Sequence, residues 1–147
     1  MMRRREFLST LAACAVLPRA LRAASAATTM TVYKDANCGC CKAWVALAQK
    51  AGYAVKSLDV TDLDATKRQL GIPAALASCH SVVCGKYLFE GHVPLDLIAR
   101  VLREQPKIVG LAVPGMPAGS PGMEVGRKDP FDVIAWDARG TRVYAKR

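Results

Sequence analysis

Cys38-Gly39-Cys40-Cys41 places three thiols within four residues, between a run that alternates like a strand and a run spaced like a helix. Met30 to Lys34 (MTVYK) is rich in β-formers, and Asp35-Ala36-Asn37 is a turn. From Cys41 to Ala51, Trp44, Val45, Leu47 and Ala48 recur at helical spacing. The thiols therefore belong to a strand-to-helix turn. The positive end of the helix and the neighbouring Lys42 favour thiolate over thiol there. A thiolate is both a nucleophile and a soft metal ligand. Two chemistries follow: dithiol–disulfide exchange between Cys38 and Cys41, or capture of a soft ion such as Cu(I).

The segments beyond the turn give a fold class. Gly52 stops the first helix, Val55 to Val60 reads as a second strand, and Thr61-Asp62 caps a helix running to Leu70, with Gly71 as its stop. After Pro73, two short apolar runs, Ser81 to Cys84 and Tyr87 to Glu90, flank Gly85-Lys86 as a hairpin. Pro94 sits at the first turn of a third helix with Leu95, Leu97, Ile98, Val101 and Leu102 on its apolar face, and Pro106 ends it. This β-α-β-α-β-β-α order is the thioredoxin-like α/β layout, in which a CxxC stands where the first strand enters the first helix. Val109 to Gly126 holds Pro114, Pro117 and Pro121 among Gly110, Gly115, Gly119 and Gly122, so no regular structure is expected in it. Phe131 to Trp136 and Thr141 to Tyr144 then form a closing hairpin that extends the sheet, giving a C-terminal loop and β-hairpin extension.

The N-terminus reads as a cleaved export signal over 1–26. Arg3-Arg4-Arg5 is a positive region, Phe7 to Leu17 a short apolar one, and Ala24-Ser25-Ala26 a small-residue cleavage site. Arg4-Arg5-Glu6-Phe7-Leu8 fits the twin-arginine type. Leu11-Ala12-Ala13-Cys14 resembles a lipoprotein box, but the apolar stretch before Cys14 is very short, and the reading is a soluble periplasmic protein. Residues 27–147 form one domain with no membrane span. The signal carries five of the arginines behind the formal charge of +9, against Glu6. The remaining basic residues are scattered with few aromatics between them, which argues against a nucleic-acid partner.

Five cysteines follow the signal: Cys38, Cys40, Cys41, Cys79 and Cys84. An odd number cannot pair completely within one chain. A third sulfur beside a redox pair invites scrambling, whereas a polynuclear soft-metal site uses it, because a thiolate can bridge two Cu(I) ions. In a thioredoxin-like layout the loop carrying Cys79-His80 faces the CxxC turn, so Cys79 is the candidate fourth sulfur. Otherwise it is a small core residue or the partner of Cys84 in a scaffold disulfide. Cys84 itself reads first as core. His80 and His92 stand at strand edges near the proposed site, as ligands or as supports of ligands. Met116 and Met123 flank the proline-glycine loop. A thioether suits Cu(I) and only rarely Zn(II), but two methionines also serve to pin a loop onto a domain. A structural zinc site fits the cysteine count but not the three-in-four spacing.

Four ordered segments carry a family resemblance. They are Asn37-Cys38-Gly39-Cys40-Cys41-Lys42-x-Trp44, Ser78-Cys79-His80, Gly85-x-Tyr87-x-x-Glu90-Gly91-His92-Val93-Pro94, and the run Gly110 to Glu124. Together they resemble the signature segments of the CopG-like copper-resistance proteins, a periplasmic family long labelled as of unknown function. The resemblance implies a thioredoxin-like domain binding copper through clustered cysteines, with Cys38, Cys40 or Cys41, and Cys79 as the sulfurs carried over; the chemistry of the residues adds Cu(I), held in a polynuclear cluster of Cys38, Cys40, Cys41 and Cys79. His92, Met116 and Met123 match segments close to that site. It also implies a redox role in which Cys38 and Cys41 are catalytic, and partners among periplasmic copper-handling or thiol-redox proteins. Ser81-Val82-Val83-Cys84 departs from the family pattern, so Cys84 is not covered by it.

Overall fold

The computed structural model describes residues 29–147. The export signal read over 1–26, Cys14 included, lies outside the described residues. The elements in chain order are β1 (Thr29–Lys34), α1 (Gly39–Lys50), β2 (Ala54–Asp59), α2 (Leu63–Leu70), a single 3-10 turn (Ala74–Leu76), β3 (His80–Cys84), β4 (Tyr87–Glu90), α3 (Leu95–Glu104), β5 (Gly110–Ala112), β6 (Asp132–Asp137) and β7 (Gly140–Lys146). They make a mixed α/β structure with one seven-stranded sheet in the order β2-β1-β3-β4-β5-β6-β7. No helix among the described residues is long and apolar enough to cross a membrane.

Local chemistry fixes the helix ends. Asp62 caps α2 by accepting the Ala65 N–H at 2.7 Å, and Gly71 closes it in the left-handed region at φ 73°. Pro94 stands as the N-cap of α3 rather than within its first turn. Met30, Val32, Val82 and Phe89 pack on one side against Trp44 and Ala48 of α1 and Leu97, Ile98 and Val101 of α3. Leu76, Ala112 and Trp136 form a smaller cluster with Leu88 and Ile134.

Strand direction determines where loops meet. β3 runs antiparallel to β1 and begins where β1 ends, with Lys34 opposite His80. β4 runs antiparallel to β3 and ends there too, with Glu90 opposite Ser81. β5 is parallel to β4, so its last residue Ala112 lies beside Glu90. The segments 35–38, 77–79, 91–94 and 113–131 therefore converge at one end of the sheet's inner strands.

Two expectations need correction. Val109 to Gly126 is not wholly irregular, because Gly110–Ala112 is a strand lodged between β4 and β6. Gly110 is there for close approach: a Cβ on it would stand 1.9 Å from the Leu88 carbonyl oxygen and 2.5 Å from the Trp136 ring. Cys79 and Cys84 form no scaffold disulfide; Cys84 is fully buried in the core at the far end of β3.

Gly110→Ala is expected to lower the unfolding free energy by about 2–3 kcal/mol or more in urea titrations, since the clash is with backbone and cannot relax cheaply. Gly39→Ala, with nothing within 4 Å of the added methyl, is expected to stay within about 0.5 kcal/mol of the parent.

Candidate metal centre

Cys38 is the N-cap of α1, and its sulfur accepts the Cys41 N–H at 3.3 Å. Cys38 and Cys41 are joined as a disulfide. Among the described residues this leaves Cys40, Cys79 and the remote Cys84 as thiols. Cys40 Sγ lies 3.5 Å from Cys38 Sγ and 4.0 Å from Cys79 Sγ, and Cys41 Sγ lies 3.4 Å from the Cys79 carbonyl oxygen. All four sulfurs fall within 4.8 Å of one another. The loop carrying Cys79 does face the strand-to-helix turn.

Imidazoles close one side. His92 Nε2 is 2.8 Å from Cys79 Sγ, and its Nδ1 is 2.6 Å from the Pro121 carbonyl oxygen. A carbonyl only accepts, so Nδ1 carries the proton and Nε2 is bare toward the sulfur. His80 Nδ1 stands 3.5 Å from the same sulfur, and its buried Nε2 has no hydrogen-bond partner. The His80 ring lies between Trp44, 4.9 Å between centroids, and His92 at 5.1 Å.

The two predicted methionines share the loop over the sulfurs. Met116 Sδ is 4.0 Å from Cys40 Sγ with the residue 53% exposed, at the solvent side of the sulfurs. The backbone of Met123 braces the same loop, accepting from Gly119 N–H and donating to Ser120 O. The loop lies directly on α1. A Cβ on Gly122 (φ +85°) would come within 2.9 Å of both the Cys40 carbonyl oxygen and the Trp44 nitrogen.

Burial governs the charges. It pushes the Cys79 thiol up to about 12, helped by the neighbouring Cys40. It holds His80 down at about 3, with His92 and Lys67 acting in the same direction. His92 is also lowered by burial, against the opposing pull of its Pro121 bond and Glu124. The resting arrangement is a neutral thiol donating to a neutral imidazole. The positive end of α1 thus does not govern Cys79, where desolvation dominates.

A buried polar cluster beneath the corner was not anticipated from the sequence. Glu90 pairs with Lys67 of α2 and accepts from the Ser81 hydroxyl at 2.6 Å and the Ser78 N–H at 2.6 Å. Lys67 also donates to Ser81 Oγ at 3.0 Å. The available signal was Lys67 itself, four residues after Leu63 and three before Leu70, on the stripe of α2 that should face inward.

The family described as "Protein of unknown function, DUF411" matches residues 76–123. No curated protein matches the chain. Two solved structures resemble it closely. "Copper resistance protein copG- Form 2" is 43% identical with a TM-score of 0.77, covering 82% of this chain and 98% of that one. The structure described as Form 1 is also 43% identical, with a TM-score of 0.76, covering 82% of this chain and 97% of that one.

The elevated Cys79 has a measurable consequence. In the metal-free protein its alkylation by iodoacetamide, followed by mass spectrometry, is expected to keep rising with pH from 8 to 10 without levelling. A plateau near pH 9 would contradict the burial argument. Because the folded state holds this proton more tightly than the unfolded chain, its contribution to stability is complete below about pH 9 and is lost as pH rises toward 12.

Proposed function

Because the chain belongs to the CopG copper-resistance protein family, we propose that it is a periplasmic protein of thioredoxin-like fold that sequesters or hands on Cu(I) through its cysteine cluster. The observation that carries this reading is the sulfur geometry: four cysteine sulfurs within 4.8 Å of one another, with Met116 Sδ beside Cys40 and His92 Nε2 beside Cys79. Thiolate, thioether and neutral imidazole are the donor set that Cu(I) accepts, and closely spaced thiolates suit bridging between ions. The bare Nε2 of His92, 2.8 Å from Cys79 Sγ, and Nδ1 of His80, 3.5 Å from it, keep nitrogen donors beside the cysteines. Met123, whose backbone braces the same loop, is the second thioether candidate. Parallel β1–β2, the antiparallel β3–β4 hairpin and a cysteine turn between β1 and α1 support the thioredoxin-like assignment. The N-terminal sequence supports export to the periplasm as a soluble domain over 27–147 after cleavage.

Loading the full sulfur set requires the Cys38–Cys41 disulfide to take up two electrons and two protons. A thiol-redox partner would supply them by exchange, its own dithiol becoming the disulfide. Copper then displaces the thiol protons, including that of Cys79, so uptake releases acid and weakens as pH falls.

The disulfide supports a second reading, a thiol–disulfide oxidoreductase or copper reductase in which Cys38 and Cys41 are catalytic. Cys38 is the more exposed of the pair and Cys41 is fully buried, so Cys38 is the sulfur that an incoming thiol reaches. A reduction potential near that of structural disulfides, about −300 mV or below, would argue against turnover.

Copper and thiol counts on one sample distinguish the readings. Expressed anaerobically with copper, the protein is expected to carry more than one copper per chain with all site thiols reduced. The Cys38→Ser/Cys41→Ser variant is expected to lose at least half of that metal, and unchanged stoichiometry would sink the cluster reading. Copper near zero with two oxidised thiols would favour the oxidoreductase.

A further inference from the structure

We infer that Glu90 is a positioning residue for the sulfur site: its buried carboxylate fixes Cys79 against Cys40 through the backbone N–H of Ser78, with Lys67 as its charge partner. Cys79 belongs to a three-residue corner, 77–79, outside any strand or helix. Its placement comes from its neighbours. Ser78 is held from three sides. Its N–H donates to Glu90 Oε1 at 2.6 Å, and its hydroxyl donates to the Gly115 carbonyl oxygen at 2.5 Å. It also abuts Gly91, where a Cβ would come 2.5 Å from Ser78 Oγ. On the other side, the His80 carbonyl oxygen accepts the Gly91 N–H at 2.8 Å. Ser81 donates its hydroxyl to the second oxygen of Glu90. One carboxylate thus binds both flanks of Cys79.

A purely structural ion pair would not need this arrangement. Buried pairs confer little net stability over well-packed apolar residues of similar volume. Here, Lys67 apart, the partners of the carboxylate are Ser78 and Ser81, both within two residues of Cys79. The distance at stake is narrow. A metal shared between two thiolates at about 2.3 Å each tolerates sulfurs no farther apart than about 4.6 Å, and Cys40 and Cys79 stand at 4.0 Å. A shift of about 1 Å in the corner breaks the bridge.

The copper part of the test rests on the function proposed above; a second readout does not. Three variants of the whole protein separate position from charge. Lys67→Met/Glu90→Gln removes both charges but keeps a carbonyl that can accept from Ser78. Lys67→Met/Glu90→Leu removes that acceptor. Glu90→Asp keeps the charge pair while withdrawing the carboxylate by one methylene, and stands in if the leucine variant does not fold. Circular dichroism and cooperative thermal unfolding establish which variants are folded. In the metal-free state, iodoacetamide labelling of Cys79 is expected to quicken about tenfold or more in the Leu and Asp variants and to stay near the parent rate in the Gln variant. In the reduced state, Cu(I) affinity from chelator competition is expected to fall by about tenfold or more in the same two. Parent-like Cys79 labelling in folded Leu or Asp variants overturns the inference, as does an equal effect in the Gln variant. If labelling shifts as expected while the parent protein takes up no copper, the positioning role stands and the copper reading fails.

Discussion

Four loops meet at one end of the sheet's inner strands, and their backbone polar groups must be satisfied without a strand ladder or a helix to do it. Side chains take up that task. Glu90 accepts from Ser78 N–H, Ser78 Oγ donates to the Gly115 carbonyl, and Ser120 Oγ donates to the Pro117 carbonyl. His92 Nδ1 donates to the Pro121 carbonyl, and Trp44 Nε1 to the Val93 carbonyl at 3.1 Å. Beyond these bonds stand the Cys38–Cys41 disulfide, the Cys40 thiol and the Cys79 thiol paired with His92 Nε2. The site is what remains after the loops have been secured, which is why it is soft, nitrogen- and sulfur-rich and poor in oxygen donors.

The electrostatics follow from that same burial. Desolvation keeps both histidines neutral and Cys79 protonated, so the resting site carries little charge of its own. Under the copper reading, an arriving cation replaces protons rather than joining pre-formed anions. That makes the centre quiet when empty and ties its affinity to pH. Neutral imidazoles keep their lone pairs available, and the His92 tautomer set by Pro121 aims one of them at the Cys79 sulfur.

Most elements are legible in the sequence because each has a local cause. The strand-to-helix turn is marked by Asp35-Ala36-Asn37, α2 by its Asp62 cap and Gly71 stop, and the hairpin by Gly85-Lys86. β5 is not legible, because its three residues are a strand only by virtue of β4 and β6 on either side, and Gly110 signals a loop to any local reading. The convergence of Cys79 with Cys40 follows from the strand order. The approach of Met116 to Cys40 does not, since Met116 lies in a loop whose course is set by long-range bonds such as Ser78 to Gly115. Glu90 and Lys67 belong to different elements, and only packing reveals that they meet.

The disulfide and the metal centre draw on the same atoms, and Cys40 links them. With Cys38 and Cys41 bonded, Cys40 and Cys79 remain as the thiols of the site, 4.0 Å apart, with Met116 and His92 on their outer sides. That is enough for a small soft site but not for a bridged cluster. Reduction of the pair doubles the number of thiols without requiring any loop to travel, because Cys38 Sγ already lies 3.5 Å from Cys40 Sγ. Under the copper reading, capacity for metal is therefore set by the redox state of one bond in a scaffold that is otherwise fixed. Storage and thiol exchange are then two oxidation levels of a single arrangement of sulfurs.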